Sequence, residues 1–262
     1  MEFFGKTFPE AVFLLIGEAP AHNGAAVAPS ADFRLPPRSR YAAAAMAYLR
    51  QRNIPEELIQ EFYREDLIYE DAQYHNIVFV GKDETGISRY AHCKGTEGSF
   101  RMDVQGSDKA HNFAYRSDGK SLFVFEAPID LMSFIALYPN DWKMRNYLSL
   151  GGVGAKALEG FLSERKNIET VYICTDSDKA GNDAVSRLLE SIPEYMTAIR
   201  LTPCEKDWNE VLKQKDKLPD GKYISRRIML RGESEKKAVP MIRMSEVQQT
   251  EVEWLWYPYI PF

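Results

Sequence analysis

Cysteine and histidine are scarce in this chain, with three and four respectively among 262 residues. Cys93, Cys174 and Cys204 are widely spaced and odd in number, which excludes a disulfide framework and a C-x-x-C knuckle and leaves reduced, mostly buried thiols. His22, His75, His92 and His111 show neither H-x-H nor H-x-x-x-H spacing, so no zinc site is read. A long apolar run is lacking too. The first residues, MEFFGKTFPEAVFLLIGEAP, carry Glu2 and Glu10 and no basic start, which excludes a signal peptide and a bilayer span. A soluble, cytoplasmic protein without a membrane partner is expected. An excess of positive charge is missing as well: the net charge of −5 argues against a protein that coats nucleic acid without specificity. Only residues 213–237 run the other way, with nine Lys/Arg against four acids, a pattern that suits a solvated linker as well as a phosphate-binding patch.

What is present is enough apolar material for one large domain or two small ones, with 45% hydrophobic and 12% aromatic residues. Thr7-Phe8-Pro9-Glu10 is a capping box with proline in the first turn and predicts a helix to about Gly17. Gly5-Lys6-Thr7 lacks the upstream glycine of a phosphate loop, so that reading is rejected. Residues 21–38 are rich in alanine and proline without a period and predict a linker. Ser39 is placed to cap a helix over 40–51, and Asn53-Ile54-Pro55-Glu56 a second over 55–64. Two β-rich runs in NIVFVGKDETGISRYAHCKG flank Asp83-Glu84-Thr85-Gly86, which predicts a hairpin inside a small α+β unit reaching about residue 120.

From Ser121 strand and helix patterns alternate: SLFVFE and IDLMSFIALY, NYLSL and AKALEGFLSER, TVYICTD and AGNDAVSRLLE, AIRLTP and DWNEVLKQ. Short apolar strands separated by amphipathic helices predict an α/β fold, a parallel sheet flanked by helices over 121–215. In such sheets the working crevice lies beyond the carboxyl ends of the strands. Those ends carry Glu126, Asp176 with Asp178, and the Lys206-to-Glu210 segment containing Asp207. Asp176 and Asp178 on one side of an extended segment would repel by about 2.5 kcal/mol at an effective dielectric near 20. A hard divalent cation, Mg²⁺ or Mn²⁺, offsets that cost. Aspartates after a strand are also ordinary helix N-caps, but the convergence with Glu126 and Asp207 favours a cation site. Gly151-Gly152-Val153-Gly154 reads as a tight strand-to-helix turn, and whether a phosphate approaches it stays open.

FVFEAPIDLMSF, LSLGGVG and VYICTDSDKAGNDAV, in that order, resemble the motifs of the Toprim domain shared by bacterial-type primases, topoisomerases and some nucleases. YLRQRNIPEELIQEFY, HNIVFVGKDETGISRYA and GSDKAHNFAY resemble segments of the subdomain that precedes Toprim in the bacterial replicative primase. The likeness covers roughly residues 40–215 and implies a Toprim-type sheet preceded by a small α+β primase-like subdomain at 39–120. It further implies that Glu126 is a general acid/base or metal-bound acid, that Asp176 and Asp178 hold Mg²⁺ (or Mn²⁺), and that Asp130 and Asp207 are further acids of the metal site. The sequence departs at Asn209, where the primase pattern has another aspartate, which leaves the number of bound metals open. The implied activity is DNA primase-like nucleotidyl transfer: metal-dependent primer synthesis on single-stranded DNA from nucleoside triphosphates, in replication of a mobile element or plasmid. A Toprim nuclease and a non-catalytic nucleic-acid-binding module are the alternatives.

Arg89, Lys94, Arg101, Lys109 and Arg116 of the preceding unit are candidates for holding the template. Tyr90, Phe100 and Phe113 suit base stacking, although core packing is the commoner use of such residues. Residues 1–20 resemble the helical end of a primase zinc-ribbon module whose ligands are not in this sequence. VEWLWYPYIPF resembles the lead-in to a RecA-like ATPase. The expected organisation is therefore a zinc-ribbon remnant, a linker, the α+β subdomain, the Toprim domain, and a basic linker over 216–262 toward a helicase-type ATPase partner.

Overall fold

The computed structural model describes residues 32–219 and 221–232, together with the backbone of the short strands at 254–256 and 260–261. The helix expected over 7–17 and most of the expected linker lie outside the described residues. The chain begins with a helical hairpin, α1 (Ala43–Gln51) and α2 (Glu56–Arg64), then an antiparallel sheet of β1 (Ile68–Glu70), β2 (Ile77–Lys82), β3 (Ser88–Lys94) and β4 (Arg101–Asp103) in sequential order. β5 (Ala114–Tyr115) crosses to a second sheet, built from β6 (Ser121–Phe125), α3 (Pro128–Leu137), β7 (Asn146–Ser149), α4 (Lys156–Glu164), β8 (Thr170–Ile173), α5 (Lys179–Ser191), β9 (Thr197–Pro203), α6 (Trp208–Gln214) and β10 (Ile224–Arg231).

The second sheet has the order β10-β9-β8-β6-β7-β5. Its four central strands are parallel, and β5 and β10 add antiparallel edges. The central strands are buried on both faces, which is why they read as near-continuous apolar runs. One face packs against α3 and α6 through Phe125, Phe134 and Trp208; the same apolar cluster takes in Leu49 and Ile59 of the hairpin and Phe79 of the first sheet. The other face packs against α4 and α5 through Val124, Leu158, Phe161, Ile173 and Leu188. β6 connects through α3 to β7 on one side, and β8 connects through α5 to β9 on the other. The reversal falls between β6 and β8, so their carboxyl ends sit side by side at the point where open α/β sheets form their crevice.

Three local expectations change. Neither Ser39 nor Asn53 caps a helix with its side chain. The first two helical amides of α1 that find a side-chain acceptor, those of Ala44 and Ala45, donate instead to Glu70 Oε2 of β1 at 2.8 and 2.9 Å, so the cap comes from 25 residues downstream. The basic stretch after residue 216 is also not linker throughout, because residues 224–231 pair with β9. The hairpin turn forms at Asp83, whose Oδ1 accepts from the amides of Thr85 and Ile87 at 3.0 Å each. Cys93 and Cys174 are buried and Cys204 partly so, all as free thiols. No helix among the described residues is long and apolar enough to cross a membrane.

Candidate active site

The end of β6 places Glu126 half-buried beside the end of β8. Its Oε1 accepts the Asp176 amide at 3.0 Å, which orients the carboxylate, and the residue lines the cleft between the two sheets. Asp178 stands at the start of α5, where its Oδ1 accepts the Gly181 amide at 2.9 Å. Asp207 does the same for α6, accepting the Glu210 amide at 2.8 Å. Both aspartates are thus helix caps and members of the acid edge at once. Asp130, in the first turn of α3, is 7% exposed, and its Oδ1 accepts the Asn209 amide at 3.2 Å.

The electrostatics separate these acids. Asp176 is pushed up to about 7, first by burial and then by Glu126, Asp207 and Asp178 in that order. The repulsion within D-x-D is therefore the smallest of the three carboxylate effects on Asp176, because Asp178 is exposed and turned to its capping bond. Glu126 is raised by burial and by Asp178 against the Asp176 amide. Asp130 is raised well above its ordinary value by burial and by Asp176 and Asp207.

The cation implied by the sequence can be tested against these residues. Asp176 Oδ1 is buried with no hydrogen-bond partner, an arrangement that costs free energy unless a cation or donor meets that oxygen. Among the described residues no three His, Cys, Asp or Glu side chains converge closely enough to enclose one ion by themselves. The fit is therefore to an open site in which one or two carboxylates bind and substrate or water oxygens complete the shell, the arrangement Mg²⁺ prefers.

The acid edge forms one wall of a cleft of about 900 Å³, contributed by Glu126, Asp130, Asp176, Gly151 and Gly152. The facing wall comes from β3, β4 and the loop between them: Tyr90, His92, Lys94, Ser99, Arg101 and Met102. Of the five basic residues expected to hold template, Lys94 and Arg101 line this cleft. Lys109 pairs with Asp103 at 3.2 Å at its border. Arg89 is held by Asp83 at 2.8 Å and faces a separate pocket. Arg116 is a correction: its side chain is 13% exposed, paired with Glu164 at 2.9 Å, bonded to the Lys82 carbonyl at 2.9 Å and seated over Phe161. It joins the two sheets and has no face free for a phosphate. Tyr90 and Phe113 are fully buried, and only Phe100 is exposed.

Two features escaped the sequence reading. Arg200 of β9 is 3% exposed and donates to the Ile173 carbonyl at 3.3 Å and the Asp176 carbonyl at 2.8 Å, holding the end of β8 from behind. A lone arginine inside the apolar strand AIRLTP was the available signal. Asp103 accepts from Tyr90 Oη at 2.6 Å and lies 2.8 Å from His92 Nδ1, which fixes the basic wall; nothing in its local sequence marks that role.

Comparison with known proteins agrees with this architecture. Residues 123–212 match a family model described as Toprim-like, and residues 47–121 match one described as protein of unknown function (DUF3991). A Bacillus anthracis protein described as uncharacterized protein pXO2-78 is 24% identical over 225 residues, covering 74% of this chain. The chain spans 65% of that relative's length. Among solved structures, the primase fragment of the bacteriophage T7 primase-helicase protein is similar with a TM-score of 0.53 at 17% identity, over 63% of this chain and 69% of that one. The RNA polymerase domain of Mycobacterium tuberculosis primase DnaG is similar with a TM-score of 0.51 at 11% identity, over 72% and 77% of the two chains. Residues 123–212 are thus similar to the Toprim-like family, within a fold similar to that of primase domains.

Proposed function

We propose that this chain is a metal-dependent nucleotidyltransferase that synthesises primers on single-stranded DNA. The observation that carries the proposal is the orphaned Asp176 Oδ1 beside Glu126, set across one cleft from Lys94 and Arg101. Phosphoryl transfer asks a protein mainly for alignment and charge neutralisation, and this cleft offers acids for a cation on one wall and cations for a phosphate backbone on the other. Asp176 and Asp178 would hold Mg²⁺ or Mn²⁺, which when bound supplies charge neutralisation for a triphosphate. Glu126 is oriented by the Asp176 amide to accept the proton of an attacking 3′-hydroxyl through its second oxygen. Lys94 and Arg101 bind template phosphates, with the exposed Phe100 beside them to stack a base.

The primase domains of the bacteriophage T7 protein, similar to this chain with a TM-score of 0.53 at 19% identity, are described as bound to an RNA/DNA hybrid and dTTP, which supports a nucleotide and template assignment here. A helicase-type ATPase partner and a setting in mobile-element replication rest on the sequence resemblance. The test is incorporation of labelled nucleotides on single-stranded DNA with Mg²⁺ or Mn²⁺, with template length followed in the same reaction. Metal-dependent extension with intact template is expected. Shortened template would make the same acids a nuclease, and binding without turnover would reduce the chain to a binding module.

A further inference from the structure

Four exposed cations, Lys206, Lys222, Arg226 and Arg227, stand outside the lining of the cleft. Among the described residues, the one ion pair that involves residues 205–232 is Lys213 with Glu210 at 2.7 Å, so none of the four has a carboxylate partner there. The fold gathers them at one corner of the second sheet. The Lys206 carbonyl accepts the Ser177 amide at 2.9 Å, which sets Lys206 beside the Asp176 end of the acid edge. Tyr223, next to Lys222, accepts the Cys204 amide through its carbonyl at 3.0 Å. Arg226 and Arg227 stand in register with Thr202 and Leu201, close to Pro203, where β9 ends.

This corner lies across the acid edge from the basic wall. A Cβ on Gly151 would stand 3.0 Å from Tyr90 Oη, so the wall built on β3 rises beside the turn that follows β7. From β7 the sheet runs on through β6, β8 and β9 to β10. With neighbouring strands about 4.8 Å apart, β10 lies about 14 Å beyond β6, the length of about four base pairs at roughly 3.4 Å each. A template that enters along Lys94 and Arg101 and is paired at the acid edge reaches the corner as a short duplex. Cations on an edge strand also bar pairing with another sheet, but that role does not account for Lys206 and Lys222, which lie in the neighbouring loops.

We propose that Lys206, Lys222, Arg226 and Arg227 form an exit surface that binds the phosphate backbone of the primer–template duplex. Successive residues of a strand point to opposite faces, so Arg226 and Arg227 flank the sheet edge and a backbone crossing it meets one from each side. Contacts to phosphate carry no sequence information, which suits a surface that every product must pass. The inference rests on the template-directed reading above and adds to it a second place of contact, which only the paired strand reaches.

The test is fluorescence anisotropy of the full chain with two labelled DNAs, a single strand and the same strand ending in a hairpin stem of about eight base pairs, between about 50 and 200 mM salt. The wild type is expected to bind the hairpin DNA at least about 10-fold tighter at low salt, with a slope of log affinity against log salt steeper by about 3.6, from four phosphate contacts at about 0.9 each. Arg226→Gln with Arg227→Gln should lose about half of that extra slope, and adding Lys206→Gln and Lys222→Gln should remove the rest. Single-strand affinity at the wild-type level shows that each variant is folded. A wild type that binds the two DNAs alike, or a quadruple variant that keeps the wild-type preference, would overturn the exit surface and leave the reading of the cleft standing. Binding of neither DNA by the wild type would overturn both. The wild-type comparison decides the matter even where a variant does not fold.

Discussion

Replacing Asp176 and Asp178 together by alanine is expected to lower Mg²⁺-dependent nucleotide incorporation by about 10³-fold, because the charge stabilisation a bound ion gives a phosphoryl transition state is worth several kcal/mol. The same site makes a second expectation about the protein without metal. Asp176 is raised to about 7 in the folded chain, against an ordinary carboxylate value near 3.9 in the unfolded one. A raised carboxyl contributes stability that is fully present below the unfolded value and is lost as pH climbs through the folded value. The metal-free wild type should therefore lose stability between about pH 4 and pH 7, by about 2 kcal/mol once the solvent screening of a half-buried group is allowed for. Asp176→Asn should flatten most of that slope in denaturant titrations at several pH values. A wild type equally stable from pH 5 to pH 8, with the variant following the same curve, would contradict the buried, repelled carboxylate.

Gly181→Ala is the second large effect. Gly181 lies in the first turn of α5, and a Cβ there would stand 2.4 Å from the Asp176 carbonyl oxygen and 2.7 Å from Glu126 Oε1. The carbonyl belongs to a strand end held by Arg200 and cannot yield cheaply, so Glu126 or the start of the helix must move. Overpacking of this kind costs about 1–3 kcal/mol, offset by the roughly 1 kcal/mol that alanine gains over glycine inside a helix. The stability change should thus be modest while activity falls by about 100-fold, as expected for a displacement near 1 Å in a reacting group. A Gly181→Ala protein with full turnover would show that Glu126 need not sit against α5.

The parallel sheet and the acids at its strand ends were legible because they are local patterns. Each central strand is a short apolar run, and Glu126, Asp176 and Asp207 lie within a few residues of the ends of β6, β8 and β9. Asp176-Ser177-Asp178 was ambiguous between caps and cation ligands, and the structure gives Asp178 a capping bond without removing it from the acid edge. What sequence could not show is contact between distant residues. Glu70 caps α1 from another element, Asn209 meets Arg52 across 157 positions, and Arg116 is spent on Glu164 of α4. β10 was hidden differently: ISRRIMLR holds three arginines, and their charge masks an edge strand in which Arg226 and Arg227 are exposed while Arg231 donates to the Ile192 carbonyl at 2.6 Å. The basic residues were the least legible group, since charge alone does not distinguish Arg116, paired inside, from Arg101, exposed on the cleft.

Glu126→Gln tests the proposed chemistry most directly, because the amide oxygen can still accept the Asp176 backbone hydrogen while the variant loses the carboxylate charge. The measurement is labelled-nucleotide incorporation on single-stranded DNA across a range of Mg²⁺ concentrations, wild type beside Glu126→Gln. The expected result is metal-dependent product from the wild type and at least about 100-fold less from the variant, the range for loss of a general base. Equal product from the two proteins would contradict nucleotidyl transfer at this acid edge.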